Sequence, residues 1–262
     1  MRRASRAAAR VTALLTTLIF AAPAVAQDAC KGTVYLTIDT GSMSQAELIA
    51  ATLNKYQVKA TFFLANEPTI KGDYTLDPGW AAYWKARAAE GHHFGSHTFD
   101  HVYFKAGDVN NSAGDKVHAR PQFGREAGKA QIWDAGQVCA ELDQVKTRFH
   151  EMTGATLQPL WRAPGGYVTA NTRKWAAACG YAHVGWSAAG FLGDELPSES
   201  YPNSALLKRA LANIKNGDVL MMHTGIRSRK DPFAPMLDPL IAGLKARGMC
   251  FGLVPDSGYQ GR

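Results

Sequence analysis

The sequence predicts a single α/β domain built as an incomplete (β/α)7-type barrel. Seven short apolar runs alternate with longer amphipathic stretches, the pattern of parallel strands joined by helical crossovers. Once an N-terminal leader is set aside, about 236 residues remain, enough for one large core, and they show no internal repeat, low-complexity tract or linker. Asp39, His97, Arg162, Trp186 and His223 each fall at the C-terminal end of a different run, and that rim is where barrels collect reactive groups. An open doubly wound sheet is the alternative arrangement of the same elements.

Residues 1–26 carry the leader. Arg2, Arg3, Arg6 and Arg10 precede an uncharged run from Val11 to Ala22, and Ala24-Val25-Ala26 offers small residues for cleavage. That order is a secretory signal peptide, and the run is too short for a stable membrane anchor. Losing four arginines and no acids lowers the net charge from +7 to +3. So mild a balance is no nucleic-acid footprint.

The elements then follow in order. Thr33–Ile38 reads as a buried strand, Gln45–Tyr56 as an amphipathic helix, and Ala60–Ala65 as a second strand. A helix over Trp80–Glu90 stops at Gly91, and His92–Ser96 forms the third strand. From Phe104 to Ile132 the period is lost, which predicts a long irregular loop at the rim of the cleft. Asp134–Thr153 is a long helix closed by Gly154. Leu160–Arg162, a helix over Asn171–Cys179, Ala182–Trp186, a helix over Ser204–Asn216, Val219–Met222, a helix over Leu237–Arg247 and Cys250–Val254 complete the alternation.

His97 and His101 stand at i and i+4. If the chain turns helically after the third strand, both rings face one side and can hold a divalent cation. On that geometry Asp100 points away, to solvent or to an outer position. His92 and His93, within the strand, read as structural. Asp39 sits at a strand-to-loop turn, where a carboxylate can take a proton from an activated water. Capping the next helix is its alternative role, although Ser42 and Ser44 stand nearer the helix start. Arg162 could pair with Asp39 and keep it ionised. The Pro164-Gly165-Gly166-Tyr167 turn lets backbone N–H groups approach a ligand. His223 can donate a proton to a leaving group, and Trp186 forms either an apolar wall or core.

Taken together, Thr37-Ile38-Asp39-Thr40-Gly41, Ala60-Thr61-Phe62-Phe63-Leu64, the stretch from Gly95 to His101, Arg162-Ala163-Pro164-Gly165-Gly166 and Val219-Leu220-Met221-Met222-His223 resemble, in order, the polysaccharide deacetylases. This group is also called the NodB-homology or carbohydrate esterase family four. The resemblance covers essentially all of residues 27–262. It implies Asp39 as base, Arg162 as its holder, His97 and His101 as metal ligands, the Gly165 backbone as oxyanion donor and His223 as acid. Trp186 and Tyr167 are the implied substrate contacts. The implied cofactor is one divalent metal, zinc first and cobalt or nickel as alternatives. The implied partner is an acetylated glycan, deacetylated at nitrogen, or at oxygen as in acetylated xylan. The sequence departs from the family's pattern at three points. Thr40 stands where the family has a metal-binding aspartate, which leaves a non-catalytic glycan-binding protein as an alternative. Gly165 stands where a tyrosine is usual, predicting a wider pocket. No aspartate stands where one usually orients the acid histidine, and Asp194 is the candidate substitute.

Cys30 and Cys250 open the first and last strands, so a bridge between them at the foot of the barrel is expected, whereas Cys139 and Cys179 lie on helices flanking the fourth strand. The exported protein is expected to begin near Gln27. Its intact mass checks this, and a mass that retains the leader overturns it.

Overall fold

The computed structural model describes residues 30–112 and 114–259, so the predicted leader lies outside the described residues. Its organising strand is β1, Gly32–Asp39, whose Val34, Leu36 and Ile38 are fully buried. β1 pairs in parallel with three others: β2 (Thr61–Leu64), β9 (Val219–His223) and β10 (Met249–Gly252). From β2 the sheet continues in parallel through β3 (His93–Ser96) and β7 (Leu160–Trp161) to β8 (Ala182–His183). The seven predicted strands are therefore present, curled with their helices into an incomplete barrel. The gap between β8 and β9 is spanned by an irregular stretch. Ser187 N and Leu192 N donate to Val219 O and Met221 O, and Met221 N donates to Gly190 O.

The predicted helices are α1 (Ala46–Tyr56), α2 (Ala81–Ala89), α3 (Ala135–Thr153), α4 (Ala170–Ala178), α5 (Asn203–Asn213) and α6 (Leu237–Ala246). Asp134 caps α3, accepting from Gln137 N, while the Gln137 side chain returns a bond to Asp134 N. At α1 no side chain caps the helix; Ser42 and Ser44 bond to one another instead. Beneath the rim, Phe62 stacks on Phe94 at 5.8 Å between ring centroids and Phe94 meets Phe149 at 4.5 Å, locking β2 and β3 to α3.

One expectation needs correction. The stretch predicted as irregular contains a three-stranded antiparallel sheet of β4 (Asp108–Asn111), β5 (Gly114–Ala119) and β6 (Gln131–Trp133). These strands are short, and β5 begins exposed. The apolar contrast that marks the barrel strands is therefore missing, and pairing holds them instead.

Because the barrel strands run in parallel, their C-terminal ends share one rim. At the opposite end Cys30 bonds to Cys250, with Cα atoms 5.6 Å apart. A second disulfide joins Cys139 of α3 to Cys179 after α4, at 6.0 Å. Both separations suit a disulfide. Among the described residues, no helix is long and apolar enough to cross a membrane.

Non-reducing peptide mapping is expected to recover both bridges. Reduction should lower stability by about 2–4 kcal/mol for each, read as a fall in Tm. Four free thiols in the oxidised protein would contradict the arrangement.

Candidate active site

Asp39, the last residue of β1, points into the mouth of the barrel and is 2% exposed. It does not cap α1. Its Oδ1 accepts a 2.7 Å bond from Arg162 Nη1, and its Oδ2 lies 3.6 Å from His97 Nε2. Burial raises the carboxyl's pKa, but the Arg162 guanidinium, His97 and His223 together bring it below the usual aspartate value. Arg162, wholly buried after β7, spends its other donors on Thr37 Oγ1, Val184 O and Gly185 O, and packs over the Phe63 ring. Every arm of the fork is used.

His97 Nδ1 faces Arg162 O at 2.9 Å, which leaves Nε2 directed at the cavity. The His101 ring lies 4.9 Å from it, centroid to centroid. The two meet, but not through a helical turn: Thr98 and His101 adopt left-handed backbone conformations at φ 59° and 50°. Asp100 turns away as expected. Its carboxylate sits where a side chain at Gly124 would stand, and its N–H donates to Glu141. Burial lowers the pKa of both histidines to about 4, so they are neutral imidazoles at physiological pH. Among the described residues, the buried His101 Nδ1 has no hydrogen-bond partner. His92 is structural, accepting from Ala60 N at 3.0 Å.

His223 ends β9. Asp194 holds it twice, accepting from His223 N at 2.7 Å and facing Nδ1 at 3.1 Å. The candidate substitute is thus in contact with the histidine. Burial opposes the charged ring, but the Asp194 carboxylate prevails, with help from Asp39 and Glu195, and the pKa is pushed up to about 10. Nε2 lies 3.8 Å from Glu195 Oε2.

Asp39, His97, His101, Gly165, Trp186 and His223 line one cavity of about 70 Å³, together with Tyr103, Glu195 and Met221. That is several times the roughly 10–15 Å³ one water requires. The Gly165 turn closes through Gly166 N to Ala163 O and Tyr167 N to Pro164 O, and the Gly165 N–H takes no part in either bond. The widening expected from Gly165 is not found. A Cβ there would stand 2.8 Å from the Tyr167 ring and 3.2 Å from that of Tyr103, so those rings fill the space. At Gly166 a Cβ would meet Trp186 at 2.8 Å. Both glycines also have positive φ, at 62° and 74°.

Sequence reasoning did not single out Tyr103, Glu195 or Glu67. Tyr103 and Glu195 lie on loops with no periodic signal. Glu67, three residues past β2, accepts a 2.7 Å bond from the Thr40 hydroxyl, a contact that only the folded rim creates. The donor set suits a divalent cation in part. Two neutral imidazoles are present, one with its outer nitrogen on a backbone carbonyl. Yet among the described residues, no group of three or more His, Cys, Asp or Glu side chains stands ready to hold a metal.

Comparison with known proteins identifies the family and the fold. A family model described as polysaccharide deacetylase matches residues 26–184. A peptidoglycan-N-acetylglucosamine deacetylase of Bacillus cereus is 25% identical over 224 residues, spanning 85% of this chain and 86% of the relative. A family 4 carbohydrate esterase from Streptomyces lividans, solved with acetate, shares the fold at a TM-score of 0.62 and 19% identity, over 87% of this chain and 95% of that one. A family 4 pseudoenzyme from Bacillus anthracis shares it at a TM-score of 0.61 and 19% identity, over 88% and 67%. With a family match over more than half its length and its ordered motifs gathered on one barrel rim, the chain belongs to the polysaccharide deacetylase family.

Proposed function

We propose that this protein is an exported, metal-assisted hydrolase that removes acetyl groups from N-acetylated sugars of a polysaccharide or peptidoglycan. One observation carries the reading: a single small cavity joins a carboxylate held ionised to an imidazole held protonated. Two groups pushed apart in this way suit a base and an acid acting on one bond. The B. cereus relative, named for peptidoglycan N-acetylglucosamine, supports that class of substrate. Two disulfides and the predicted leader support export.

A divalent cation held by His97 and His101, zinc before cobalt or nickel, would polarise the acetyl carbonyl and acidify water beside it. Asp39 takes a proton from the attacking water, and Arg162 fixes its carboxylate for that transfer. The Gly165 N–H stabilises the carbonyl oxygen as it gains charge. As the new C–O bond forms and the C–N bond breaks, His223 passes a proton from Nε2 to the leaving nitrogen, giving acetate and a free amine. Trp186 walls the acetyl group, and Tyr167, exposed at the rim beside Gly165 and not itself lining the cavity, is the second substrate contact. Attack on an O-acetyl ester would use the same groups, with an alcohol leaving.

Thr40 favours a second reading, a glycan-binding protein without catalysis. Its hydroxyl accepts from Ala65 N at 2.9 Å and donates to Glu67, so it is already committed within the protein. The B. anthracis pseudoenzyme is a case of this fold without activity.

Acetate release from N-acetylated and O-acetylated oligosaccharides, with bound metal quantified, separates these readings. Glycan binding with no acetate at any metal occupancy would leave only the second. Asp39→Asn and His223→Ala are each expected to lower the rate about 10²–10⁴-fold, and near-normal turnover in either would remove its assigned role. A histidine whose pKa is raised keeps its proton through neutral pH and loses it only as pH climbs toward 10. Asp194→Asn should therefore move the alkaline limb of the pH–rate profile to lower pH. An unchanged limb would mean that another group sets it.

A further inference from the structure

Glu67 is a carboxylate the scheme above leaves unused, yet the fold holds it with care. Its loop is bonded into both sides of the site. Thr40 N donates to Phe63 O and Ala65 N to Thr40 Oγ1, tying the loop to the end of β1. His97 N donates to Leu64 O and Asn66 N to Phe99 O, tying it to the turn that carries both histidines. The Glu67 backbone is clamped in turn by the fully buried Thr75. Glu67 N donates to Thr75 Oγ1 at 3.0 Å, Thr75 N returns a bond to Glu67 O at 2.9 Å, and the Thr75 hydroxyl donates to Ala65 O. The side chain is only partly exposed and, among the described residues, makes no ion pair. A carboxylate partly withdrawn from water, with one neutral donor and no cation beside it, is under-compensated. A cation that arrives later would complete the compensation.

We infer that Glu67 supplies the anionic metal ligand that position 40 lacks, so that the cation is held by His97, His101 and Glu67 while Thr40 orients the carboxylate. This rests on the metal-assisted reading proposed above. Two neutral imidazoles alone would leave the cation one protein ligand short of the three usual at catalytic zinc, and hard cations favour oxygen anions. The three side chains are not preassembled. Glu67 has three side-chain torsions beyond its clamped backbone, so the carboxylate can turn while the loop stays in place. The Thr40 hydroxyl can keep donating to one oxygen as the other turns inward.

The test uses metal-free full-length protein titrated with zinc and cobalt(II), read by calorimetry and by the visible absorption of bound cobalt, with Tm as a check on folding. The proteins are wild type, Glu67→Gln, Thr40→Asp and the double variant Thr40→Asp/Glu67→Gln. Glutamine keeps an acceptor for Thr40, so the fold should persist. Wild type should bind one cation, and Glu67→Gln should bind it at least about tenfold more weakly, the low end of what even outer-sphere changes cost at metal sites, with an altered cobalt spectrum. The double variant should recover affinity. Equal affinity and spectra in wild type and Glu67→Gln would overturn the assignment while leaving the metal-assisted reading intact, as would a fall in Tm alone. Binding by Thr40→Asp but not by wild type would show that Glu67 does not compensate. If none of the four binds a cation, the metal-assisted reading itself fails.

Discussion

The rim of this barrel is organised by one buried ion pair, Arg162 with Asp39. A guanidinium taken wholly out of water is tolerated only when its charge is matched and its donors are used. Here the matching partners come from distant parts of the chain: Asp39 and Thr37 on β1, and Val184 and Gly185 beyond β8. The Arg162 carbonyl meanwhile holds the His97 ring. Correct closure of the barrel is therefore the condition for burying this charge, and the same closure brings Asp39 and His97 together at the mouth. Stability and site geometry are coupled through one side chain. Asp39, with its pKa lowered, strengthens the fold above its unfolded pKa. That contribution is lost as pH falls through the native value.

Much of this could be read in advance because parallel strands covered on both faces leave unmistakable apolar runs. Val34, Leu36 and Ile38 announce β1, and the first polar residues after such runs are forced to the mouth. That is why Asp39, His97, Arg162 and His223 were visible as candidates. What escaped depends on pairing and on backbone conformation. β4 to β6 have little apolar signal of their own. The two histidines meet through left-handed Thr98 and His101, which the i, i+4 spacing does not reveal. Asp194 could be named as a candidate, but its contact with His223 across 29 residues of chain is made only by the fold, and Glu67 reaches Thr40 across 27. No local pattern encodes such distances.

A recurring feature of the site is that a missing group is made good from a neighbouring position. The ring absent at Gly165 is replaced in space by Tyr167 and Tyr103. Where no carboxylate follows Trp186, Asp194 makes the contact with His223. In each case a loop delivers the group while the strands stay where the buried pair holds them. Such exchange is tolerated on a barrel rim, because loops there are constrained by the chemistry they deliver more than by the core they cover.

The irregular bridge from Ser187 to Leu192 has a consequence for solubility. β9 is an almost entirely apolar strand, and an uncovered edge would leave its amides and carbonyls free to recruit a strand from another molecule. The bridge satisfies that edge at Val219 and Met221 without being a strand itself. An eighth regular strand would cover the edge equally well, but it would run straight on. Irregular chain can bend back, and it does so by Asp194, two residues beyond its last backbone-to-backbone bond to β9. The same few residues thus suppress edge-to-edge association and return the chain to the histidine at the tip of that strand.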